Sequence, residues 1–381
     1  MFSAITKGLR DVRILEGTSL PAIPVVPGFF YRQDLERLYF QSPNEDANLD
    51  LTGLSGLDGG NTFKNAVING DMRIWQRGTS FAAVSSGNYT VDRYWYGNGG
   101  STAVHTISRS TDIPNNQFQY STKLDCTTAD ASVDAGDNVG FYQKIEGYNF
   151  RKFVGQQATL SFWVKAGKTG TMCVSFRNSA ADRSYVSEVT IDTADTWEKK
   201  TITLDFNYSG GTWDYTNGKG IGIGFNLMCG STYQTTADAW QSGNYLATSN
   251  QTNFCDNADT TCDVYITGVQ LELGPEDTAF EFLDQQTEFA QCQRYYRIGR
   301  RFSGTGGRTI TNGTLAFAHF EPYPVEMRTT PTVSATFSYS NLKSGTADAY
   351  GNKGIYFRAQ GTGSGTNHWL TVNPWTADAE L

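Results

Sequence analysis

The most constraining feature of the chain is a series of short segments in which apolar and polar residues alternate. Period-two alternation is typical of a β-strand with one buried face. A glycine-rich turn at residues 167–170 joins two such segments, 159–166 and 172–176, and predicts a β-hairpin. The apolar face of the first segment consists of Leu160, Phe162 and Val164.

Further strand-like segments follow at residues 186–191, 200–206 and 219–228, and a last one ends near Leu273. In the third of these, alternate positions are apolar and the opposite positions are mainly glycine. Eight or more short strands with a turn about every ten residues predict an antiparallel β-sandwich. We find no internal repeat of fixed period, which argues against a β-helix or a propeller.

The charge and hydropathy patterns exclude two classes of partner. The chain has 30 Lys and Arg against 38 Asp and Glu, a net charge of -8, and no basic block. Binding to nucleic acid through phosphate contacts is therefore not expected. No segment approaches the roughly 20 apolar residues that a membrane-spanning helix needs. Residues 1–11 have no apolar h-region and no small-residue cleavage site, so we expect no secretion signal there. We expect synthesis in a cytoplasm and no membrane insertion.

Four other segments occur in a fixed order. They read NGDMRIWQRG (residues 69–78), YTVDRYW (89–95), ITGVQLELG (266–274) and CQRYY (292–296). Together they resemble the jelly-roll, carbohydrate-binding-module-like domain of tail-fibre proteins from tailed bacteriophages. We interpret the charged and aromatic residues of these segments as fold determinants. The alternation of Arg73, Trp75 and Arg77 predicts a strand with Trp75 in the core.

The resemblance implies an all-β protein: an antiparallel jelly-roll β-sandwich with an extended N-terminal anchor arm, a short helix and a small C-terminal β module. We place the virion anchor and linker at residues 1–62, the jelly roll at 63–283, the connecting helix at 284–300 and the module at 301–381. The family also implies a homotrimer in the virion tail, assembled in the host cytoplasm, that attaches to a host-surface glycan. A structural neck, baseplate or head appendage or adaptor, without a receptor site of its own, stays open.

The N-terminal arm is too short and too interrupted to build a core. Residues 31–40 predict a short helix, and a second helical face is predicted upstream. We expect this arm to dock on another virion tail or baseplate protein, or else to pack on its own domain. The predicted anchor residues are Ile5, Leu9, Val12, Leu35, Leu38 and Tyr39. Towards the other end, Phe289, Cys292 and Tyr296 predict one face of a helix over residues 284–297.

Glycan binding requires flat aromatic rings for the sugar C–H faces and polar side chains for the hydroxyls. Residues 208–262 are rich in both, and loops on a rigid sandwich often carry recognition. The same aromatic residues could instead hold the loop in place or fill a subunit interface. A second candidate surface is the C-terminal tip. The predicted glycan-binding residues are Trp213, Tyr215, Tyr233, Trp240, Tyr245, Trp369 and Trp375.

Catalysis and metal binding have weak support in the sequence. A glycan depolymerase would need two paired carboxylates, and nothing in the sequence pairs any two of the aspartates. We therefore predict no enzymatic activity, with a depolymerase as the least favoured alternative. No cofactor is expected, although Asp256, Asp259 and Asp263 have oxygen ligands at a spacing that suits Ca²⁺. Cys255 and Cys262 flank the same loop, and we expect free thiols because the chain is made in a cytoplasm.

Overall fold

The chain divides into two compact units, Met1–Lys64 and Asn65–Leu381. The computed structural model describes the backbone of four strands in the first 63 residues and then residues 64–306, 312–313, 315–362 and 368–381. Within these residues, no helix has the length and apolar character needed to cross a membrane.

The first unit contains a four-stranded sheet. Its strands are, in sheet order, β1 (Ile14–Gly17), β2 (Gly28–Arg32), β3 (Arg37–Gln41) and β4 (Asn48–Asp50). The predicted helix over residues 31–40 is wrong, because Tyr31 and Leu38 are paired across β2 and β3. Aromatic-rich segments of this kind favour extended backbone. Of the predicted anchor residues, Leu38 and Tyr39 lie in β3, and the others are outside the described residues: Ile5, Leu9, Val12 and Leu35.

The second unit begins with a jelly-roll sandwich of two six-stranded antiparallel sheets, which confirms the predicted fold. Sheet I contains, in spatial order, β13 (Glu198–Asp205), β10 (Gln157–Ala166), β16 (Val264–Leu273), β8 (Ser121–Thr128), β7 (Val104–Ser110) and β5 (Ser80–Phe81). Sheet II contains β15 (Trp240–Ser242), β12 (Arg183–Ile191), β11 (Gly170–Asn178), β14 (Lys219–Cys229), β9 (Asn138–Glu146) and β6 (Tyr94–Gly99). The short helix α1 (Gly147–Phe150) follows β9.

The core of the sandwich follows from the alternation along the strands. The Phe162 ring of β10 meets the Phe225 ring of β14 edge to face, with the centroids 4.9 Å apart. Burial of side chains of this size contributes roughly 1.5–3 kcal/mol each, so the two faces stabilise each other. The buried residues on these two strands include Leu160, Phe162, Val164, Ile221, Ile223 and Phe225.

The connecting helix, α2 (Gln285–Gln293), is shorter than predicted. The Asp284 carboxylate caps its first turn by accepting from the backbone N–H groups of Gln286 and Thr287. The helix ends at Gln293, and after a two-residue turn residues 296–299 form a strand, so the predicted helical position of Tyr296 is wrong. The buried face of the helix contains Glu288 and Cys292, and Phe289 is only half-buried.

The C-terminal residues form three small antiparallel sheets around a second hydrophobic cluster. Trp375 is fully buried in this cluster, and a Cβ at Gly299 would lie 1.8 Å from its ring, so only glycine fits there. The first sheet contains β17 (Tyr296–Gly299), β25 (Trp375–Asp378) and β20 (Thr332–Ser334). The second contains β18 (Phe302–Gly306), β24 (His368–Val372) and β21 (Phe337–Ser340), and the third β19 (Leu315–Pro322), β23 (Gly354–Gly361) and β22 (Leu342–Tyr350).

A buried network of arginines, carboxylates and aromatic rings joins the sandwich to the C-terminal strands. Arg93, 1% exposed, forms an ion pair with Glu380. Its guanidinium lies over the Tyr295 ring, 3.4 Å from the centroid. Arg77 also contacts Glu380, at 3.2 Å, and lies 3.5 Å from the centroid of the Tyr296 ring. Both arginines come from the sandwich and their partners come from beyond it, so the contacts tie the two parts together.

Residues from three of the four resembling segments meet in this network: Arg77, Arg93, Tyr295 and Tyr296. Arg73, Trp75 and Arg77 do not form the predicted strand. The Asn69 side chain accepts from the Ile74 N–H (2.9 Å) and donates to the Ile74 carbonyl (3.0 Å), which fixes a loop instead. Trp75 is buried, as predicted.

The Arg93–Glu380 pair predicts a large cost for removing one partner. Glu380→Ala leaves the buried Arg93 guanidinium without its carboxylate, so we expect the free energy of unfolding to fall by about 3–5 kcal/mol. The matched control is Asp348→Asn, since Asp348 and its partner Arg358 are both about half exposed; we expect a change below about 0.5 kcal/mol there. Urea denaturation measures both. Equal losses in the two variants would contradict the role of the network.

Candidate functional site

An open groove of about 670 Å³ lies beside the loop that connects β13 to β14. Trp213 and Tyr215, two of the predicted glycan-binding residues, supply its aromatic surface. The other lining residues are small or polar: Ser179, Ala180, Thr212, Asp214 and Thr216. The groove therefore combines aromatic surface with hydrogen-bonding groups.

Trp213 is held in a fixed orientation by its neighbours. The Tyr208 ring stacks on the indole with the centroids 3.6 Å apart, and the Phe150 ring lies nearly parallel at 5.5 Å. The indole N–H donates to the Gly210 carbonyl at 2.9 Å. Tyr208 also hydrogen-bonds the Tyr215 hydroxyl at 2.9 Å. The half-buried Trp213 is thus already ordered before any ligand arrives, which lowers the entropic cost of binding.

The carboxylates next to the groove are held in their ionised form. Asp214 accepts from the Thr216 hydroxyl and the Thr216 N–H, both at 2.7 Å, and these bonds lower the pKa of Asp214. Asp182 accepts from the Asn178 amide and from the Thr212 N–H, which lowers the pKa of Asp182. Ionised carboxylates are acceptors at neutral pH, so they can receive hydrogen bonds from ligand hydroxyl groups.

Trp240, a third predicted residue, closes the side of the sandwich and does not line the groove. It lies on β15 at the edge of sheet II, and its indole N–H donates to the Asp205 carbonyl of β13, at the edge of sheet I, at 2.8 Å. Its ring packs near those of Tyr185 (5.5 Å) and Phe206 (5.9 Å). Trp240 therefore holds the two sheet edges together.

Tyr233 and Tyr245 belong to another part of the surface. Both pack against a small cluster on the outer side of sheet II that includes Tyr142, Cys173 and Val186. The segment that carries them is held to the sheet by further bonds, among them the one from the Asn226 amide to the Leu246 carbonyl at 2.6 Å.

The two predicted residues at the C-terminal end differ in exposure. Trp369 is 41% exposed on β24. Trp375 is fully buried, so its predicted role as a ligand contact is wrong; it fills the C-terminal core against Tyr323 and Phe357. In a sequence rich in glycine and serine, the composition around Trp375 did not distinguish a core tryptophan from an exposed one.

The three calcium candidates have separate partners. Asp256 forms an ion pair with Lys168, and Asp263 forms one with Lys123. Asp259 accepts from the Thr261 N–H. Among the described residues, no group of three or more His, Cys, Asp or Glu is placed to hold a metal ion. Cys255 and Cys262 are buried free thiols.

A second surface, which was not predicted from the sequence, lies on the outer face of sheet II. There Lys144 and Arg177 lie in register on either side of Gly222, next to the stacked rings of Trp95 and Tyr142. The feature of the sequence that indicated this surface was the set of glycines opposite the apolar face of β14. Their significance depends on which strands flank β14, and that pairing is not evident from the sequence.

No protein-family model and no curated protein matches the chain. Among solved structures, it is similar to tailspike protein 4 of bacteriophage CBA120, with 18% identity over 55% of this chain and a TM-score of 0.31. The match covers 22% of that tailspike chain. It is also similar to a CBM4 structure, with 14% identity over 54% of this chain and 98% of the other chain and a TM-score of 0.29. A third similar structure is the family 11 carbohydrate-binding module of Clostridium thermocellum, with 12% identity over 51% of this chain and 96% of the other chain and a TM-score of 0.26. At these values the similarity assigns no function.

The position of Trp240 predicts a structural effect of its removal. Trp240→Ala deletes the contact between the two sheet edges, and we expect the free energy of unfolding to fall by about 1–3 kcal/mol. Trp369→Ala, at a more exposed tryptophan, is the matched control and should change it by less than about 0.5 kcal/mol. Chemical denaturation measures both. If Trp240→Ala were as stable as the control, Trp240 would not bridge the sheets in solution.

Proposed function

We propose that the chain is part of a bacteriophage attachment fibre and that the Trp213 groove binds a glycan of the host surface. The jelly-roll fold and the four ordered sequence segments support this proposal. In the same proposal the protein is a homotrimer of the virion tail, and its N-terminal unit anchors it to another tail or baseplate protein. The assembly takes place in the host cytoplasm.

The observation that carries the proposal is the composition of the groove around Trp213. A pre-ordered indole offers an apolar surface to the C–H face of a sugar ring. The ionised Asp214 and the Thr212 and Thr216 side chains, which line the same groove, can exchange hydrogen bonds with sugar hydroxyls. A shallow, open shape suits a chain-like ligand that enters from solvent.

The electrostatics of the groove favour binding over catalysis. Hydrolysis of a glycosidic bond requires one carboxylic acid whose pKa is raised, so that it can protonate the leaving oxygen. The pKa values of Asp214 and Asp182 are both lowered by hydrogen bonds. We therefore propose that the protein has no depolymerase activity at this groove.

One observation fits the structural alternative as well as it fits a receptor-binding fibre. The residues that carry the family resemblance, such as Arg77, Arg93 and Tyr295, lie in the buried network and do not line the groove. A neck, baseplate or head appendage or an adaptor would need this network just as a receptor-binding fibre does. The two functions differ in whether the purified protein binds glycans by itself.

Removal of the Trp213 indole tests the proposal. On an array of bacterial surface polysaccharides, we expect the wild-type protein to bind saturably and Trp213→Ala to bind at least about tenfold more weakly, which corresponds to ~1.4 kcal/mol. Trp197→Ala is the matched control, since Trp197 is also half-buried but lies outside the groove, and it should bind like wild type.

The other outcomes separate the alternatives. If the folded wild-type protein binds no polysaccharide, the structural adaptor is favoured. Release of reducing sugar from a bound polysaccharide would show a depolymerase. Equal binding by Trp213→Ala and wild type would place the glycan site elsewhere on the protein.

A further inference from the structure

Three cationic side chains converge on the outer face of sheet II. In the register of the sheet, Lys144 of β9 pairs with Gly222 of β14, which pairs with Arg177 of β11. Residues opposite each other in neighbouring strands share a face, so both cations stand on the side away from the sandwich core. The Lys219 side chain extends over the same glycine, with its Cδ 3.9 Å from the position of a Cβ there.

An aromatic pair lies next to these cations. The Trp95 and Tyr142 rings stack with the centroids 4.7 Å apart. The Lys144 amine lies 4.9 Å from the centroid of the Trp95 ring, and the Arg177 guanidinium lies 5.2 Å from the centroid of the Tyr142 ring. The Trp95 indole N–H is buried and has no hydrogen-bond acceptor in the described part of the chain. The surface thus places the lysine and arginine donors beside the half-buried Trp95 ring.

Only part of this charge is balanced among the residues that the structure describes: the Lys144 amine donates to the Leu381 carbonyl oxygen, and the Glu380 carboxylate acts on that amine. Arg177 and Lys219 form no ion pair there, and Arg177 donates only to the neutral side chain of Asn244, at 2.9 Å. Glu146, which faces Lys219 across the strands, is already bound to Arg294 at 2.6 and 2.9 Å. The chain as a whole is negatively charged, which makes an unbalanced group of cations informative.

Burial and mutual repulsion act on the cations in the free protein. Burial, and then the charges of Arg177 and Lys144, lowers the pKa of Lys219 to about 7. Burial, followed by the charge of Arg93, lowers the pKa of Lys144 to about 8. An anion placed among these groups would relieve the repulsion and restore their charge.

The backbone leaves room for such an anion at Gly222. A Cβ built there meets no atom closer than 3.8 Å, whereas at Gly224 the Tyr142 ring would lie 2.4 Å away. Gly222 therefore marks an opening between Lys144 and Arg177, and the neighbouring glycine is covered by the tyrosine.

We propose that Lys144, Arg177 and Lys219 form an anion subsite that binds the negatively charged group of an acidic sugar, with the half-buried Trp95 ring, backed by the buried Tyr142, against the sugar ring. The charged group is a carboxylate or a phosphate, because both accept charge-assisted hydrogen bonds from arginine and lysine. The sugar part of this inference rests on the proposed function, and it narrows the ligand to an acidic glycan.

One strand connects the subsite to the Trp213 groove. Arg177 directly precedes Asn178, and the Asn178 amide donates to the Thr212 carbonyl of the groove at 2.9 Å. The Ser179 hydroxyl, which lines the groove, reaches the same carbonyl. The end of β11 thus contributes to both surfaces.

Charge-selective titration tests the subsite. Three oligosaccharides of equal length are compared by calorimetry: one neutral, one with a uronic acid and one with a phosphorylated sugar. We expect at least one acidic ligand to bind about tenfold tighter than the neutral one, and the two acidic ligands identify the preferred anion. Arg177→Gln should abolish this preference, and Arg177→Lys should retain most of it. No acidic preference in the wild type, or an unchanged preference in Arg177→Gln, would overturn the proposal.

Two further variants separate charge, space and structural role. Gly222→Val keeps all three cations but fills the opening, so it should lose the acidic preference while remaining folded. Lys219→Gln should melt at the same temperature as wild type or higher, because a repelled, partly buried charge is removed. A clear fall in the melting temperature of Lys219→Gln would show that Lys219 stabilises the fold, and would overturn its place in the subsite.

Small anions test the subsite independently of the groove. Glucuronate or inorganic phosphate should raise the melting temperature of wild type, since binding to the folded state stabilises it, and should leave Lys219→Gln unchanged. If Trp213→Ala has no effect on glycan binding but this shift persists, the proposed groove fails and the anion subsite stands. If neither anion shifts the wild type, the subsite is overturned.

Discussion

The buried contact between Arg93 and Glu380 is the interaction on which the arrangement of the Asn65–Leu381 unit depends. A fully buried guanidinium is costly unless it is paired and hydrogen-bonded. Here the carboxylate comes from the last residues of the chain, and the Tyr295 ring covers the cation. The jelly roll therefore has a buried charge whose carboxylate partner, Glu380, comes from outside the sandwich. This requirement explains why charged residues that are distant in the sequence meet in one place without lining the Trp213 groove.

The sandwich, which is joined to the C-terminal residues by this contact, presents two different surfaces. The groove at Trp213 is built by a loop, and an aromatic cluster with Tyr208 and Phe150 gives that loop its order. The outer face of sheet II is instead built by strand register, which sets cations on both sides of Gly222. The first surface suits neutral sugar rings and hydroxyls, and the second suits negative charge. Together the two surfaces would recognise both the shape and the charge of a glycan.

Much of the fold could be predicted because it depends on local periodicity. The alternation that buries Leu160 and Phe162 is visible in the sequence, and strand β10 lies at the predicted position. The end of α2 was not predictable in the same way, since residues 296–299 become a strand by pairing with residues 375–378. Trp375 failed as a candidate for a related reason: its burial depends on sheets that assemble from distant segments.

The candidate sites show the same division. Trp213 and Tyr215 could be found from the sequence, because aromatic residues in a polar loop are a local signal. The row of Lys144, Gly222 and Arg177 could not be found from the sequence. Its three residues come from three different strands, and they indicate an anion subsite only when the strand pairing places them side by side. Charge balance was also invisible: the sequence shows a surplus of acidic residues, while the structure places Glu146 on Arg294 and leaves Lys219 without a carboxylate partner among the described residues.

Glycan recognition through the Trp213 groove and the outer face of sheet II would change the tryptophan indole N–H signals of the jelly roll. The chain has 8 tryptophans, each of which gives one such signal in a nitrogen–proton NMR spectrum. With an acidic oligosaccharide, we expect the Trp213 and Trp95 signals to shift and those of Trp197 and Trp375 to stay in place. A shift confined to Trp369, or binding that leaves both Trp213 and Trp95 unchanged, would contradict the account.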